Sequence, residues 1–439
     1  MGKNGNIASD CSRVIGIRNR VLQTAEGEPR PTQVAIFDNS GNLLSEIELE
    51  TEDMELDFIR GILPVSYRNA DPNEDLAKFP KHHLKVKKLK KDEERSKYPE
   101  KLLFQANKEW FVITKVPEKY DGLKQGDILA MILGGTGDHF SFAASKKPGV
   151  KVFRVKPSLL KEWRKDGSKD NDGALLAEKF LSQSEEFQLI TARDQELIEL
   201  RRYYRQRTDA MKALVAATLR LRQTTRNAVF YIKDGNYPDG TIDERFEQAK
   251  LSDPIYVALS KEKELREKEL TKFLESLPLY QMLFVPIEGL GPMIAARIIV
   301  GIEHIGRFDT APQFKAFSGV HVLAGGKYSK IAKEHQFPRR RSGMVANWHP
   351  DVRQALYLFG VQCNKRPESE WGKKLREYKA QLRQKHPEPV EIVLSDGKKV
   401  TRYYDGHIQK MAIRKTLTKF AEYLFNAWKK VEKELAAQD

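Results

Sequence analysis

The sequence predicts an α/β domain at the N-terminus followed by a mostly α-helical remainder, and three observations predict it. β-rich, partly alternating segments crowd the stretch up to Val155 and interleave with helical ones. From Glu185 onward apolar residues recur at three- and four-residue steps. A glycine turn, Ile287-Glu288-Gly289-Leu290-Gly291-Pro292, then opens onto the apolar helix Met293 to Ile302.

Taken in order, Val14 to Leu22, Thr32 to Phe37 and Leu43 to Leu49 read as strands, with Asp38-Asn39-Ser40-Gly41 as the hairpin turn between the last two. A helix follows from about Asp53 to Ile62, stopped by Pro64. Residues 78–101 hold ten Lys/Arg and four Asp/Glu, the composition of a solvated linker or of a loop that faces nucleic acid. Asp127 to Leu133 is a continuous apolar strand running into Gly134-Gly135-Thr136-Gly137-Asp138-His139. Val150 to Val155 is the next strand, and Pro157 to Trp163 begins helical structure. The α/β domain therefore covers residues 12–185, with 78–101 as a basic insertion.

Residues 186–283 read as a helical arm. Leu197, Leu200, Tyr204, Met211, Leu214, Val215, Thr218 and Leu221 line one face of a helix of about 35 residues. The turn-rich Lys233 to Gly240 separates it from a second helix, about Pro254 to Leu277, and the two can pair as an antiparallel coiled coil. Such an arm serves as spacer, dimerisation element or nucleic-acid contact. In residues 284–439, Val390 to Tyr404 is a β-hairpin turning at Ser395-Asp396-Gly397-Lys398, and Ile408 to Leu435 is an amphipathic closing helix.

Composition sets the class of partner. The chain has 439 residues, 76 Lys+Arg against 61 Asp+Glu, and a formal net charge of +15, so a polyanion is the expected partner. With 40% hydrophobic and 31% charged residues it is neither a disordered tail nor a membrane protein. The N-terminus lacks the apolar core of a secretory signal, and the expected location is cytoplasmic. Two cysteines, Cys11 and Cys363, cannot form a disulfide framework or a zinc knuckle.

The glycine turn holds most of the functional information. Gly289 and Gly291 permit tight backbone geometry, and Pro292 suits a first helical position. A phosphate can sit at such a helix N-terminus without any base contact. Downstream, Gln336 to Arg353 offers Arg339, Arg340, Arg341 and Arg353 for phosphate and Trp348 for stacking, while Lys327 and Lys330 add charge beside a glycine pair.

GLGPMIAARIIVGIEHIGRF, QFKAFSGV, RRRSGMVANWHPDVRQALY and DGHIQKMAIRKTLTKFAEYLF resemble the C-terminal half of the bridge-RNA-guided insertion-sequence recombinases. That half is similar also to the Nop domain of box C/D ribonucleoproteins and to the Tas proteins of RNA-guided DNA-targeting systems. The resemblance implies a RuvC-like (RNase H-like) domain, then a coiled coil, then a Nop-like helix-hairpin-helix domain. It implies a guide RNA and target DNA as partners, and a homodimer.

The resemblance also implies four carboxylates: an Asp on the first strand, a Glu after the fourth, and two Asp at i and i+3 on a helix. Here the first-strand segment Ile15-Gly16-Ile17-Arg18 has no acid, the Glu position at ILGGTG is not acidic, and Lys169 stands three residues before Asp172. Asp138, Asp170 and Asp172 are the remaining candidates for catalysis, with Asp138 and Asp172 as ligands of Mg2+ or Mn2+; Glu26, Glu28 and Asp38 are further acids. A two-metal site needs several carboxylates around ions about 3.5–4 Å apart. Three readings follow: an RNA-guided metal-dependent DNA endonuclease, which is the leading expectation, a non-cutting RNA-guided DNA-binding protein, or a recombinase using Ser318, Ser329 or Ser342 as nucleophile. None of the nine histidines stands at a spacing that demands metal; His82-His83, His304 and His321 are expected in structural or surface roles.

Overall fold

The structure is a computed structural model of the chain. It describes residues 13–21, 29–90, 95–132, 137–165, 167–322, 338, 346–393 and 399–437. The chain divides into two units, residues 1–195 and 196–439.

In the first unit, β1 (Val14–Arg18), β2 (Thr32–Phe37) and β3 (Leu43–Leu49) form an antiparallel meander that leads into α1 (Glu52–Arg60). Thr51 caps α1 through its hydroxyl, and Gly61, at φ +82°, ends it in the left-handed conformation. Four strands follow: β4 (Leu63–Asn69), β5 (Lys85–Lys88), β6 (Leu103–Ala106) and β7 (Glu109–Asp121). The chain then supplies β8 (Ile128–Met131), α2 (Gly137–Ser145), β9 (Lys151–Arg154), α3 (Pro157–Arg164), α4 (Asp172–Ser182) and the short β10 (Gln188–Leu189).

The main sheet has the order β10-β9-β8-β1-β2-β3, with β8 parallel to both β1 and β9. Alternation puts Ile15, Ile17, Leu129 and Met131 on one face, against Phe58 of α1 and Phe140 and Ala144 of α2. Val14, Ile128 and Ala130 face the other way, against Leu160 of α3 and Leu176, Ala177 and Phe180 of α4. On that second face α4 lies directly on β1. A Cβ at Gly16 would fall 1.9 Å from the carbonyl oxygen of Gly173, so only glycine fits there. At the start of the sheet, Arg13 donates from Nε and Nη2 to the two carboxylate oxygens of Asp127, at 3.0 and 2.6 Å, and from Nη2 to the Gly122 carbonyl at 2.6 Å.

β4 to β7 make a second, four-stranded sheet centred on β7, with Leu89, Leu102 and Val112 as a small core. The linker reading of residues 78–101 is therefore corrected: this stretch contains β5 and runs into β6. It reads as a polar linker because all four β5 side chains, Lys-Val-Lys-Lys, are exposed.

In the second unit, the long α5 (Ala192–Phe230) is followed by α6 (Ile242–Ser252) and α7 (Pro254–Glu275). α6 begins with a capping box between Thr241 and Glu244, and α7 with the Asp253 side chain accepting from the Tyr256 N–H and Pro254 in the first turn. α5 runs antiparallel to α6 and α7: Arg207 pairs with Glu267, Tyr203 packs on Phe273, and Arg222 pairs with Asp243.

The chain continues through a π-helical turn at Tyr280–Phe284, α8 (Pro292–Ile302), α9 (Ala311–Phe317), α10 (Pro350–Lys365) and α11 (Glu370–Lys385). The hairpin β11 (Val390–Val393) and β12 (Lys399–Arg402) precedes α12 (Asp405–Ala436). Phe284, Phe314, Phe359, Phe420 and Trp428, all fully buried, anchor one aromatic-rich core. Among the described residues, no helix is long and apolar enough to cross a membrane.

Candidate nucleic-acid interface

The glycine turn folds as a tight link between two helical segments. The Leu290 N–H donates to the Ile287 carbonyl at 3.1 Å, and Gly289 takes φ +91°. The positive φ favours glycine here, and a Cβ at Gly289 would be tight, 3.2 Å from Cβ of Gln362 on α10. Gly291 is the N-cap of α8, and the N–H groups of Ile294 and Ala295 return to its carbonyl. It is exposed, with no atom within 4 Å of where a Cβ would stand. The positive end of the α8 dipole is thus open to solvent and to an anion.

Elsewhere in the same unit α5, α8 and the start of α10 line an open cavity of about 330 Å3. Four cations line it, Arg201, Arg205, Lys212 and Arg297, against Asp209, Glu303 and Asp351. Arg201 is paired with Glu303 at 2.8 Å and Lys212 with Asp209 at 3.6 Å. Arg297 differs: Nε donates to the Tyr204 hydroxyl at 2.9 Å, while Nη1 is buried with no hydrogen-bond partner. A buried guanidinium N–H without an acceptor is costly. His349 also lines the cavity and caps α10, its Nδ1 accepting from the Val352 N–H at 3.4 Å. Burial holds this imidazole below its ordinary pKa, and Arg307 pushes in the same direction, against an opposing effect of Asp351. The neutral ring suits the cap, because Nδ1 must keep its lone pair.

Trp348 and Arg353 come together in a way the sequence does not reveal. The Arg353 guanidinium lies 4.4 Å from the Trp348 ring centre, and both press on Gly319, where a Cβ would stand 2.8 Å from the indole. One face of Trp348 is therefore covered by its own arginine. Arg353 also donates to the Pro338 carbonyl at 2.8 Å, fixing a point next to the arginine run in sequence. Lys327, Lys330, Arg339, Arg340 and Arg341 lie outside the described residues, as do Ser329 and Ser342. Ser318 is described: it is fully buried with an unpartnered hydroxyl, so a phosphodiester cannot reach it without opening the core.

Among the described residues, the carboxylate oxygens of Asp138, Asp170 and Asp172 do not all lie within 4.8 Å of one another. Asp138 is buried in the first turn of α2, which packs on one face of the sheet, and Asp172 opens α4 on the other. Both oxygens of Asp172 accept from Arg164, Nε at 2.7 Å and Nη2 at 2.6 Å. Asp170 is exposed in the turn before α4, where Ser168 donates to it at 2.6 Å and Arg30 and Arg18 approach to 3.7 and 3.9 Å. The hydrogen bond from Ser168 and the charges of Arg30 and Arg18 hold its carboxyl below the usual range. Gly16 cannot give way to an acid, and the next residue on that face of β1 is Arg18. Asp170 and Asp172 do not fit the expected Mg2+ or Mn2+ pair, because arginines supply there the positive charge that bound metal would supply. Asp38 is committed to its turn, accepting from the Ser40 and Asn42 N–H groups, and Glu26 and Glu28 lie outside the described residues.

The cavity arginines were missed from sequence. Their signal was Arg201 and Arg205, four residues apart on one helix face; Arg297 reaches them only through the fold. Among the described residues, one group of three His, Cys, Asp or Glu side chains can share a metal ion, Asp57 with His82 and His83. The chain matches no protein-family model and no curated protein.

Proposed function

We propose that the protein is an RNA-guided DNA-binding protein that holds its target without cutting it through Asp138, Asp170 or Asp172. In this reading residues 284–439 form a Nop-like, helix-hairpin-helix domain that takes the guide RNA, and the first unit is a RuvC-like, RNase H-like domain. The guide and target rest on the resemblance of the motifs between residues 284 and 360. The sheet order β3-β2-β1-β8-β9, a meander continued by strands parallel to β1, supports the RNase H-like reading. The open α8 N-terminus and the cavity lined by Arg201, Arg205, Lys212 and Arg297 support phosphate binding.

The choice of binding over cutting rests on one observation, the arginines that occupy the candidate carboxylates, Arg164 on Asp172 and Arg18 and Arg30 beside Asp170. A second copy of the chain is the further expected partner, and Val215, Leu219, Leu251 and Ile255, exposed along the helical arm, support it.

Purified protein retaining its co-purified RNA, given guide-matched DNA and Mg2+, is expected to form a stable complex with the DNA intact. Cutting that disappears in Asp138→Ala or Asp172→Ala would restore the endonuclease reading, and a covalent protein–DNA adduct would restore the recombinase. Arg297→Ala is expected to weaken RNA binding and to lower the salt slope by about one; an unchanged slope would remove the cavity from the interface.

A further inference from the structure

Asp57, His82 and His83 meet where α1 faces the 3-10 turn Lys81–His83 that follows β4. Nε2 of His82 lies 2.9 Å from Oδ2 of Asp57, and Nε2 of His83 lies 2.7 Å from the same oxygen. Two consecutive histidines thus aim the same ring nitrogen at a single atom 25 and 26 residues away. Their rings meet edge to face at 4.2 Å, and Tyr120 of β7 packs 5.6 Å from the His83 ring. Asp57 and His83 are almost fully buried, whereas the His82 side chain is 50% exposed. A buried carboxylate and imidazole form the floor, and a solvent-facing imidazole forms the opening.

We propose that Asp57, His82 and His83 form a divalent-cation site selective for zinc-like ions, which ties the β4–β7 sheet to α1. Two imidazoles and one carboxylate match the preference of Zn2+ and Co2+ for nitrogen with one hard oxygen, and leave a fourth position for water on the His82 side. Bonds of about 2.0–2.2 Å place tetrahedral ligand atoms roughly 3.3 Å apart, so the contacts need to open by about half an ångström. On binding, each Nε2 gives its lone pair to the ion and its proton moves to Nδ1. Nδ1 of His83 is buried without a partner whichever ring nitrogen holds the proton, so this tautomer shift adds little cost. Arg60, at 3.9 Å, lies by the other carboxylate oxygen and is largely solvated, so it leaves Oδ2 to the ion.

Titration of the full chain with Co2+ in metal-free buffer is expected to give visible d–d absorption saturating at one ion per chain, displaced by Zn2+. Under saturating Zn2+ the thermal midpoint is expected to rise and to return with chelator. His82→Ala changes a half-exposed side chain and is expected to fold normally while weakening Co2+ at least tenfold. His83→Ala and Asp57→Asn are expected to abolish the spectrum. No d–d absorption in the wild type, or the same spectrum and affinity in His82→Ala, would show that the three side chains form only a hydrogen-bonded clasp.

Discussion

At the scale of single residues, two positions decide whether the first unit stands. Asp127 is fully buried and Arg13 nearly so, and their paired hydrogen bonds link the starts of neighbouring parallel strands. Burial alone would lower the pKa of Arg13, but its bonds to Asp127 and that charge outweigh the effect and raise it. Asp127→Asn leaves the buried guanidinium with only the longer 3.4 Å pairing to Asp121 and is expected to destabilise the unit by about 3 kcal/mol in urea unfolding. A loss under about 1 kcal/mol would mean that Asp121 or the Gly122 carbonyl compensates. Gly16 is the second position. Gly16→Ala drives a methyl into the Gly173 carbonyl and is expected to leave little folded protein in a solubility and circular-dichroism comparison. A stable Gly16→Ala variant would mean that α4 does not lie on β1.

At the scale of elements, the hairpin and α12 form a pH-sensitive corner. His407 in the first turn of α12 accepts through Nδ1 from the Tyr403 N–H at 3.0 Å. Burial, with Arg402, Arg414, His386 and Lys410 around it, lowers this imidazole from 6.5 to about 4. Because the folded value lies below the unfolded one, its stabilising effect is complete above pH 6.5 and is lost as pH falls towards 4. The thermal midpoint is expected to drop over that window, and His407→Gln is expected to flatten the drop. An equal slope in the variant would assign the effect to other groups.

Elements whose burial matches their local pattern were legible. β2 falls close to its expected position because a strand buried on both faces is continuously apolar from Val34 to Phe37, and α12 because its helical periodicity matches the face it buries. β5 was hidden because its side chains are all exposed, and α6 because it lies between a turn-rich loop and the Asp253-Pro254 break. The candidate site was legible only in part. Gly289 and Gly291 announce their turn locally, whereas Arg297 with Tyr204 and Asp57 with the histidines depend on contacts 93 and about 25 residues apart. No short motif records such pairs.

At the scale of the whole molecule, binding and cutting separate. A chain with a net charge of +15 has ample positive surface for nucleic acid. Part of that charge is internal. Arg164 is committed to Asp172, and Arg18 and Arg30 stand beside Asp170, where a metal-dependent nuclease would instead need unpaired carboxylates. That distribution supports the proposed reading, guide-dependent DNA binding without strand scission, over the cutting one.

The most direct measurement is incubation of the RNA-loaded protein with end-labelled, guide-matched DNA in Mg2+ and in Mn2+, with complex formation and strand integrity read on the same samples. The predicted result is a shifted complex that depends on guide complementarity, with full-length DNA recovered from it. Metal-dependent cleavage lost on Asp138→Ala or Asp172→Ala, or binding indifferent to the guide sequence, would contradict it.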